Sequence, residues 1–208
     1  MGEKIQEWKK EISKHKKLIF LSLVFLAIAI MLNSTAGNYA DKKGTVAVSD
    51  LILDNLPTLD FDFFFVYGFV FILAALILYP LLFNVKKLHI VISQFSLLVL
   101  IRSFFVSLTH LSMPVSALTY TAPKFFAFLD FKNSLFFSGH TAIPFLGFLL
   151  FRKEKIGIFF LIASFVMAFT VLAMHVHYSI DVFSAFFITY GSFKIGDFIF
   201  RKIDRNGK

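Results

Sequence analysis

The feature that most constrains this chain is a series of apolar stretches, each close to the length needed to cross a lipid bilayer. About 20 helical residues span the roughly 30 Å of hydrocarbon in a membrane. Stretches that approach or reach this length occupy residues 18–32, 63–83, 88–111, 135–151, 156–174 and 178–200. Only 16% of the residues are charged and 58% are hydrophobic, which is more apolar surface than a soluble fold of this size buries. The sequence therefore predicts an all-α integral membrane protein with six transmembrane helices.

The basic residues are sorted among the connections between these stretches. They precede the first span, separate the second from the third and the fourth from the fifth, and follow the sixth: Lys4, Lys9, Lys10, Lys14, Lys16, Lys17, Lys86, Lys87, Arg152, Lys153, Lys155, Arg201, Lys202, Arg205 and Lys208. The positive-inside rule predicts that these connections and both termini are cytoplasmic, and that loops 33–62 and 112–134 lie outside a cell membrane. We therefore interpret the net charge of +8 as a topology signal and not as nucleic-acid binding.

The chain is predicted to form one catalytic domain, residues 18–200, between two short basic segments. Residues 1–17 place Ile5, Trp8 and Ile12 at helical spacing, which is typical of an interfacial amphipathic helix, although a solvated charged tail fits as well. Residues 201–208 form a basic cytoplasmic tail. Cleavage of residues 1–37 as a signal peptide is an alternative that would leave five spans. The chain has no cysteine, which excludes disulfides, thiol catalysis and cysteine-ligated metals.

Three polar residues stand out inside the spans, because polar groups in a membrane are costly and usually functional. His140 lies at the outer end of span four, and His177 and Asp181 lie at the outer start of span six. Residues four apart share a helix face, so the Asp181 carboxylate can orient the His177 ring and make its other nitrogen a nucleophile. The pattern predicts phosphoryl transfer in which His177 attacks phosphorus and His140 protonates the departing alkoxide.

Phosphoryl oxygens also need hydrogen-bond donors and positive charge. Ser138, Thr141 and the Gly139 N–H at a helix start are candidate donors, as is Tyr178 beside His177. Arg102, in the outer half of span three, is the candidate for the charge; the alternative is a structural ion pair with an aspartate.

A metal site is a rival interpretation, because His175 and His177 can join His140 and Asp181 as ligands. Helical residues two apart diverge by about 200°, so His175 joins only if this segment is extended. We therefore expect no metal and no other cofactor. The remaining histidines and the phenylalanine runs have simpler interpretations, surface or interfacial groups and lipid-facing packing respectively: His15, His89 and His110, and Phe63-Phe64-Phe65 and Phe136-Phe137.

The two histidine segments resemble the signature motifs of the sphingomyelin synthase family, a branch of the type-2 phosphatidic acid phosphatase superfamily. The matching segments are Phe137-Ser138-Gly139-His140-Thr141 and His177-Tyr178-Ser179-Ile180-Asp181-Val182. Further similarity lies at Leu56-Pro57-Thr58-Leu59-Asp60, at 102–114 and at Ile188-Thr189-Tyr190, so that the resemblance covers about residues 54–195.

The resemblance implies a lipid phosphotransferase with His140, His177 and Asp181 as its triad. His177 would attack a phospholipid diester, release diacylglycerol and pass the head-group phosphate to a ceramide-like hydroxyl, so the partners are a phospholipid and a lipid acceptor. Eukaryotic relatives carry an Asp four residues before the Ser-Gly-His-Thr motif, where this chain has Ser134, with Asp130 one turn earlier. Asp60, Asp130 and Ser134 are therefore the candidates for head-group recognition.

Two other functions remain as alternatives. A phosphatase acting on lipid phosphates or undecaprenyl diphosphate would use the same triad with water as acceptor. Its Lys-x6-Arg-Pro motif is missing, and Thr170-Val171 stands in place of its Ser-Arg pair, which favours a diester substrate. A non-catalytic lipid-binding or transport protein is the third possibility, against which the intact triad argues.

Overall fold

The structure of the protein is a computed structural model that describes residues 2–43, 46–120 and 135–206. Within these ranges the chain is helical, with no β-strand beyond a single parallel bridge between Val46 and Leu111. The described residues form six α-helices: α1 Gly2–Lys43, α2 Phe69–Phe83, α3 Leu88–Leu108, α4 Gly139–Phe151, α5 Lys155–Ala173 and α6 Ser179–Asn206. A π-helical segment, Phe64–Gly68, leads directly into α2.

Five helical segments of the described chain are long and apolar enough to cross a membrane: Gln6–Lys43, Phe64–Phe83, Val85–Leu108, Lys155–Ala173 and Ser179–Phe200. The prediction of an all-α protein with several membrane-length helices is confirmed at this level. The fourth span is shorter than predicted, because α4 has only 13 residues, about 20 Å of helix. Residues 135–138 are not helical. Ser138, which precedes α4, has φ −60° and ψ 113°, and its N–H donates to the carbonyl of Asp181 in another helix.

Helix α1 is much longer than the predicted span 18–32. It is one continuous helix of 42 residues, about 63 Å long, so it includes residues 2–17 and extends through Asn33, where a loop was predicted to begin. Tertiary contacts stabilise the helix through its polar stretch. Asn33 accepts a hydrogen bond from α3, and Ala36 and Ala40 pack against Val106. Helix α6 likewise continues past residue 201, to Asn206.

Helices α1 and α3 run parallel and form an extensive helix pair. Near their N-terminal ends the rings of His15 and His89 stack at 5.4 Å, and further along Asn33 meets Arg102. Both of these histidines are buried, so neither is a surface group, the first of the two predicted alternatives. Each one is covered because the two helices lie side by side over this whole length.

Helix α4 is the central element and packs against α5 and α6. A Cβ at Gly147 would lie 2.6 Å from the ring of Phe160, so the absence of a side chain there lets α4 and α5 approach closely. The buried core around this contact draws side chains from α2, α3, α4, α5 and α6: Ile72, Leu76, Leu98, Leu146, Phe160 and Ala185. This core fixes the start of α4 relative to the start of α6.

The basic turns meet at one end of the helix bundle. Lys86 lies 3.8 Å from Glu11 of α1, and Lys87 lies 2.5 Å from Glu154 in the turn between α4 and α5. Tyr79 also donates a hydrogen bond to Glu154, at 2.8 Å. We call this group of Glu11, Tyr79, Lys86, Lys87 and Glu154 the basic end. The starts of α4 and α6, which carry the two histidine motifs, lie at the opposite end.

Candidate active site

His177 and Asp181 meet at the start of α6. The prediction placed both on one helix face, but α6 begins at Ser179 and His177 lies in the turn before it. Asp181 instead folds back over the helix start, where its Oδ2 accepts the N–H of Tyr178 at 3.0 Å and lies 3.3 Å from Nδ1 of His177. This is the reach-back half of a capping box, and it orients the imidazole without a shared helix face.

The Asp181 carboxylate is completely buried, with 0% of the residue exposed. Its Oδ1 has no hydrogen-bond partner among the described residues. Because a carboxylate is expensive to bury, its charge needs a compensating partner nearby. His177 is in contact with it, and the guanidinium of Arg102 is close enough to attract it electrostatically.

The start of α4 is tied to the start of α6 through the backbone. Ser138 donates its N–H to the carbonyl of Asp181 at 3.1 Å, which places Gly139 and His140 at the same end of the bundle as His177. The first N–H groups of a helix lack intrahelical acceptors and favour anions. The α4 start therefore presents both an anion-binding end and the second histidine.

Two phenylalanines hold the ring of His140. Phe65 stacks on it with a centroid distance of 4.1 Å, and Phe69 lies at 4.0 Å. The run Phe63-Phe64-Phe65 was predicted to face lipid as a whole. That holds for Phe63, which is 68% exposed, but it is wrong for Phe65, which is 5% exposed.

Arg102 approaches from α3. Its Nε donates to the carbonyl of Phe137 at 3.0 Å, and its Nη1 donates to Oδ1 of Asn33 at 3.3 Å. Phe137 is fully buried, which corrects the prediction that Phe136-Phe137 face lipid. These contacts hold the plane of the guanidinium next to Gly139, where a Cβ would lie 3.6 Å from Nε.

Arg102, His140 and His177 line one cavity of about 280 Å³. Asn33 and Gly139 also line its polar part. The rest of the wall is apolar or aromatic: Ile30, Phe65, Phe69, Leu73, Phe95, Val99, Met113, Tyr120, Leu135, Ile143 and Val176. A cavity with a cluster of polar groups and an otherwise apolar wall fits an amphiphile.

Several predicted binding residues do not line this cavity. Ser138 and Thr141 are buried and bond to each other, with the Thr141 hydroxyl donating to Ser138 Oγ at 3.3 Å. The Tyr178 hydroxyl donates to the carbonyl of Ser112 and accepts the N–H of Val48, so it ties two loops together. Asp60 is exposed and accepts the N–H of Asp62. The other two head-group candidates, Asp130 and Ser134, lie outside the described residues.

His175 is directed toward two loops and not toward His177. Its Nε2 lies 3.0 Å from the carbonyl of Leu56, and its Nδ1 lies 2.6 Å from Oγ of Ser116. Because a carbonyl only accepts, Nε2 carries the proton and Nδ1 of the neutral ring accepts from the serine. Among the residues that the structure describes, no three His, Cys, Asp or Glu side chains are grouped to hold a metal ion.

Asp50 supports the site from the loop after α1. Its Oδ2 accepts the N–H of Ser179 at 2.7 Å, at the start of α6, and its Oδ1 accepts the N–H groups of Ile52 and Leu53. Burial raises the pKa of Asp50, but the hydrogen bonds from Ser179, Leu53 and Ile52 outweigh this effect and hold the pKa below its ordinary value of 3.8. A carboxylate at a helix N-terminus is stabilising, so Asp50 anchors the segment that carries His177 and Asp181.

Sequence reasoning missed Asn33, Phe65, Phe69 and Asp50. Asn33 had a usable signal, since it is an amide at the edge of an apolar stretch. The other three had none, because a phenylalanine in a span and an aspartate in a loop are ordinary there. Comparisons of the chain with protein-family models, with curated proteins and with solved structures gave no match.

Proposed function

We propose that this protein is a membrane lipid phosphotransferase. It cleaves the phosphodiester of a phospholipid through a phosphohistidine and passes the phosphorylated head group to a lipid hydroxyl or to water. The observation that carries the proposal is the convergence of His140, His177 and Arg102 on one cavity with a largely apolar wall. The resemblance of the two histidine motifs to those of the sphingomyelin synthase family points to the same chemistry.

In the first half-reaction Nε2 of His177 attacks phosphorus. The new N–P bond forms as the P–O bond to diacylglycerol breaks, and His140 donates a proton to the departing oxygen. The ring of His177 becomes positively charged in this step. Asp181, 3.3 Å from its Nδ1, stabilises that charge and keeps Nε2 as the attacking nitrogen.

In the second half-reaction the acceptor hydroxyl attacks phosphorus and the N–P bond breaks. His140, now neutral, takes the proton of the hydroxyl, so both histidines return to their starting forms. A ceramide-like lipid hydroxyl yields a new phosphodiester. Water yields the free phosphorylated head group, which is the product of a phospholipase C.

Negative charge on the phosphoryl oxygens is balanced by Arg102 and by the start of α4. The guanidinium is held by Phe137 and Asn33, so its charge has a set position before substrate arrives. The Gly139 N–H, at the first position of α4, is a further donor on the cavity wall. The apolar part of the cavity accommodates hydrocarbon next to the phosphate.

The side of the membrane that the cavity faces is inferred from the distribution of basic residues. The cavity lies at the end of the bundle opposite the basic end, and basic connections favour the cytoplasm. We therefore propose that the protein acts on lipids of the extracytoplasmic leaflet of the cell membrane.

The test is product analysis by mass spectrometry. Purified protein is incubated with a panel of phospholipids and with phosphatidate, each with and without ceramide. We expect diacylglycerol from a diester, accompanied by a ceramide-linked or a free phosphorylated head group. Inorganic phosphate from phosphatidate alone would overturn the proposal in favour of a phosphatase, and binding of lipid without any product would identify a non-catalytic lipid-binding protein.

A further inference from the structure

We infer that Asn33 of α1 binds the substrate phosphate and positions Arg102, so that α1 completes the active site. The inference deepens the proposed function and rests on it. Its starting point is the Nη1 of Arg102, which donates to Oδ1 of Asn33 at 3.3 Å. Asn33 is 6% exposed and is one of the residues that line the cavity.

The orientation of the Asn33 amide follows from hydrogen-bond chemistry. A guanidinium only donates, so the atom of Asn33 that faces Arg102 must be the carbonyl oxygen. The two N–H donors of the same amide are then left on the other side of the group. Because the residue lines the cavity beside Arg102, those donors are available to a phosphoryl oxygen that the guanidinium attracts.

The charge of the residue at this position matters as much as its shape. A neutral amide accepts from Arg102 without adding a negative charge to the phosphate site. Aspartate has nearly the same shape and would accept from Arg102 more strongly. It would also replace the two donors by an anionic oxygen that repels phosphate. Asn33→Asp should therefore strengthen the contact with Arg102 and weaken the binding of phosphate.

An asparagine in this position is costly for a membrane helix, because a buried amide loses its hydrogen bonds to water. A purely structural role would need only the acceptor that Arg102 uses. Aspartate supplies that acceptor and would serve such a role better. The comparison of Asn33→Asp with Asn33→Ala therefore separates phosphate binding from a structural role.

The experiment measures turnover and phospholipid binding in Asn33→Asp, Asn33→Ala and Asn38→Asp. Asn38 lies on the same helix, is exposed and does not line the cavity, so Asn38→Asp makes the same charge change as a control. Binding of a short-chain fluorescent phosphatidylcholine is measured with each change combined with His177→Ala, which prevents turnover. Thermal unfolding in detergent checks that each variant is folded.

We expect Asn33→Asp to lower kcat/KM by about 100-fold or more and to abolish binding, because it removes the two donors and also places an anionic oxygen against the phosphate. Asn33→Ala is expected to lower kcat/KM by about tenfold, while Asn38→Asp matches the wild type. Equal or higher activity in Asn33→Asp than in Asn33→Ala would overturn the inference. If Asn33→Asp fails to fold, phospholipid binding is measured in Asn33→Leu instead. This variant keeps the side-chain volume and removes both the acceptor for Arg102 and the donors for phosphate. Wild-type binding in Asn33→Leu would overturn the inference.

The proposed function can fail separately. A wild-type protein that produces nothing from any phosphodiester contradicts the proposed function. A wild-type protein that turns over phosphodiester while Asn33→Asp remains active contradicts only the role of Asn33.

Discussion

The two ends of the helix bundle use the same kinds of charged residue in different surroundings. At the basic end, Lys86 has a side chain 69% exposed and pairs with Glu11 at 3.8 Å, and Lys87 pairs with Glu154. At the opposite end, Asp181 is 0% exposed and contacts a buried histidine. Water screens the first group and not the second. Exposure, and not residue type, therefore distinguishes the charges to which we assign membrane orientation from those to which we assign chemistry.

The difference has an energetic consequence. Exposed ion pairs contribute about 0–1 kcal/mol to stability, whereas breaking a buried pair costs about 3–5 kcal/mol because it leaves an uncompensated charge. The effects of substitutions at the two ends should therefore differ in magnitude. They should also differ in whether turnover or stability changes.

The largest effect is expected for His177→Ala. Loss of the nucleophile should reduce turnover by about 10³-fold or more, because the N–P bond cannot form. Release of diacylglycerol from phospholipid measures it. His177→Gln is the companion variant, since its amide can still donate to Asp181 and preserve the fold. Full activity in a folded His177 variant would disprove the phosphohistidine mechanism, and His110→Ala, at an exposed histidine that does not line the cavity, is the control.

His140→Ala should lower turnover of a natural phospholipid by about 10²–10⁴-fold, the usual contribution of a general acid. The deficit should shrink when the leaving group is nitrophenolate, which departs without a proton. Rates with phosphatidylcholine and with nitrophenyl phosphorylcholine provide the comparison. An equal loss with both substrates would show that His140 has some other role than proton donation.

Asp50→Asn should lower the stability of the site end by about 1 kcal/mol at neutral pH, because the helix start loses its carboxylate. The folded pKa of Asp50 lies below its ordinary value of 3.8, so its contribution is complete above pH 3.8 and is lost as the pH falls through the folded pKa. Unfolding temperatures of wild type and variant should therefore converge in acid. Asp54→Asn, an exposed aspartate of the same loop, is the matched control. A constant difference at every pH would contradict a charge-based role.

Glu154→Gln at the basic end should have the smallest effect, at most about 1 kcal/mol, with unchanged turnover. Partial burial raises the pKa of Glu154, but hydrogen bonds from Lys87 and Tyr79 and the charge of Lys87 outweigh it, so the pKa stays below the ordinary value of 4.5. Its stabilising effect is complete above pH 4.5, is lost as the pH falls through the folded pKa, and weakens in high salt. A loss of activity in this variant would break the distinction between the two ends.

The sequence alone predicted the all-helical fold with membrane-length apolar helices, the positions of α2, α3, α5 and the start of α6, and the pairing of His177 with Asp181. It could do so because hydropathy reports contact with lipid and because a four-residue spacing is local. The predicted topology also placed His140 at the same depth as these two residues.

The length of α1, the shortness of α4 and the lining of the cavity depend on tertiary contacts. Asn33 and Arg102 are 69 positions apart, and Asp50 and Ser179 are 129 apart. Hydropathy is the same for a phenylalanine that faces lipid and one that stacks on a histidine, as Phe63 and Phe65 show. Which face of a helix meets another helix is set by packing among the helices, and no local pattern records it.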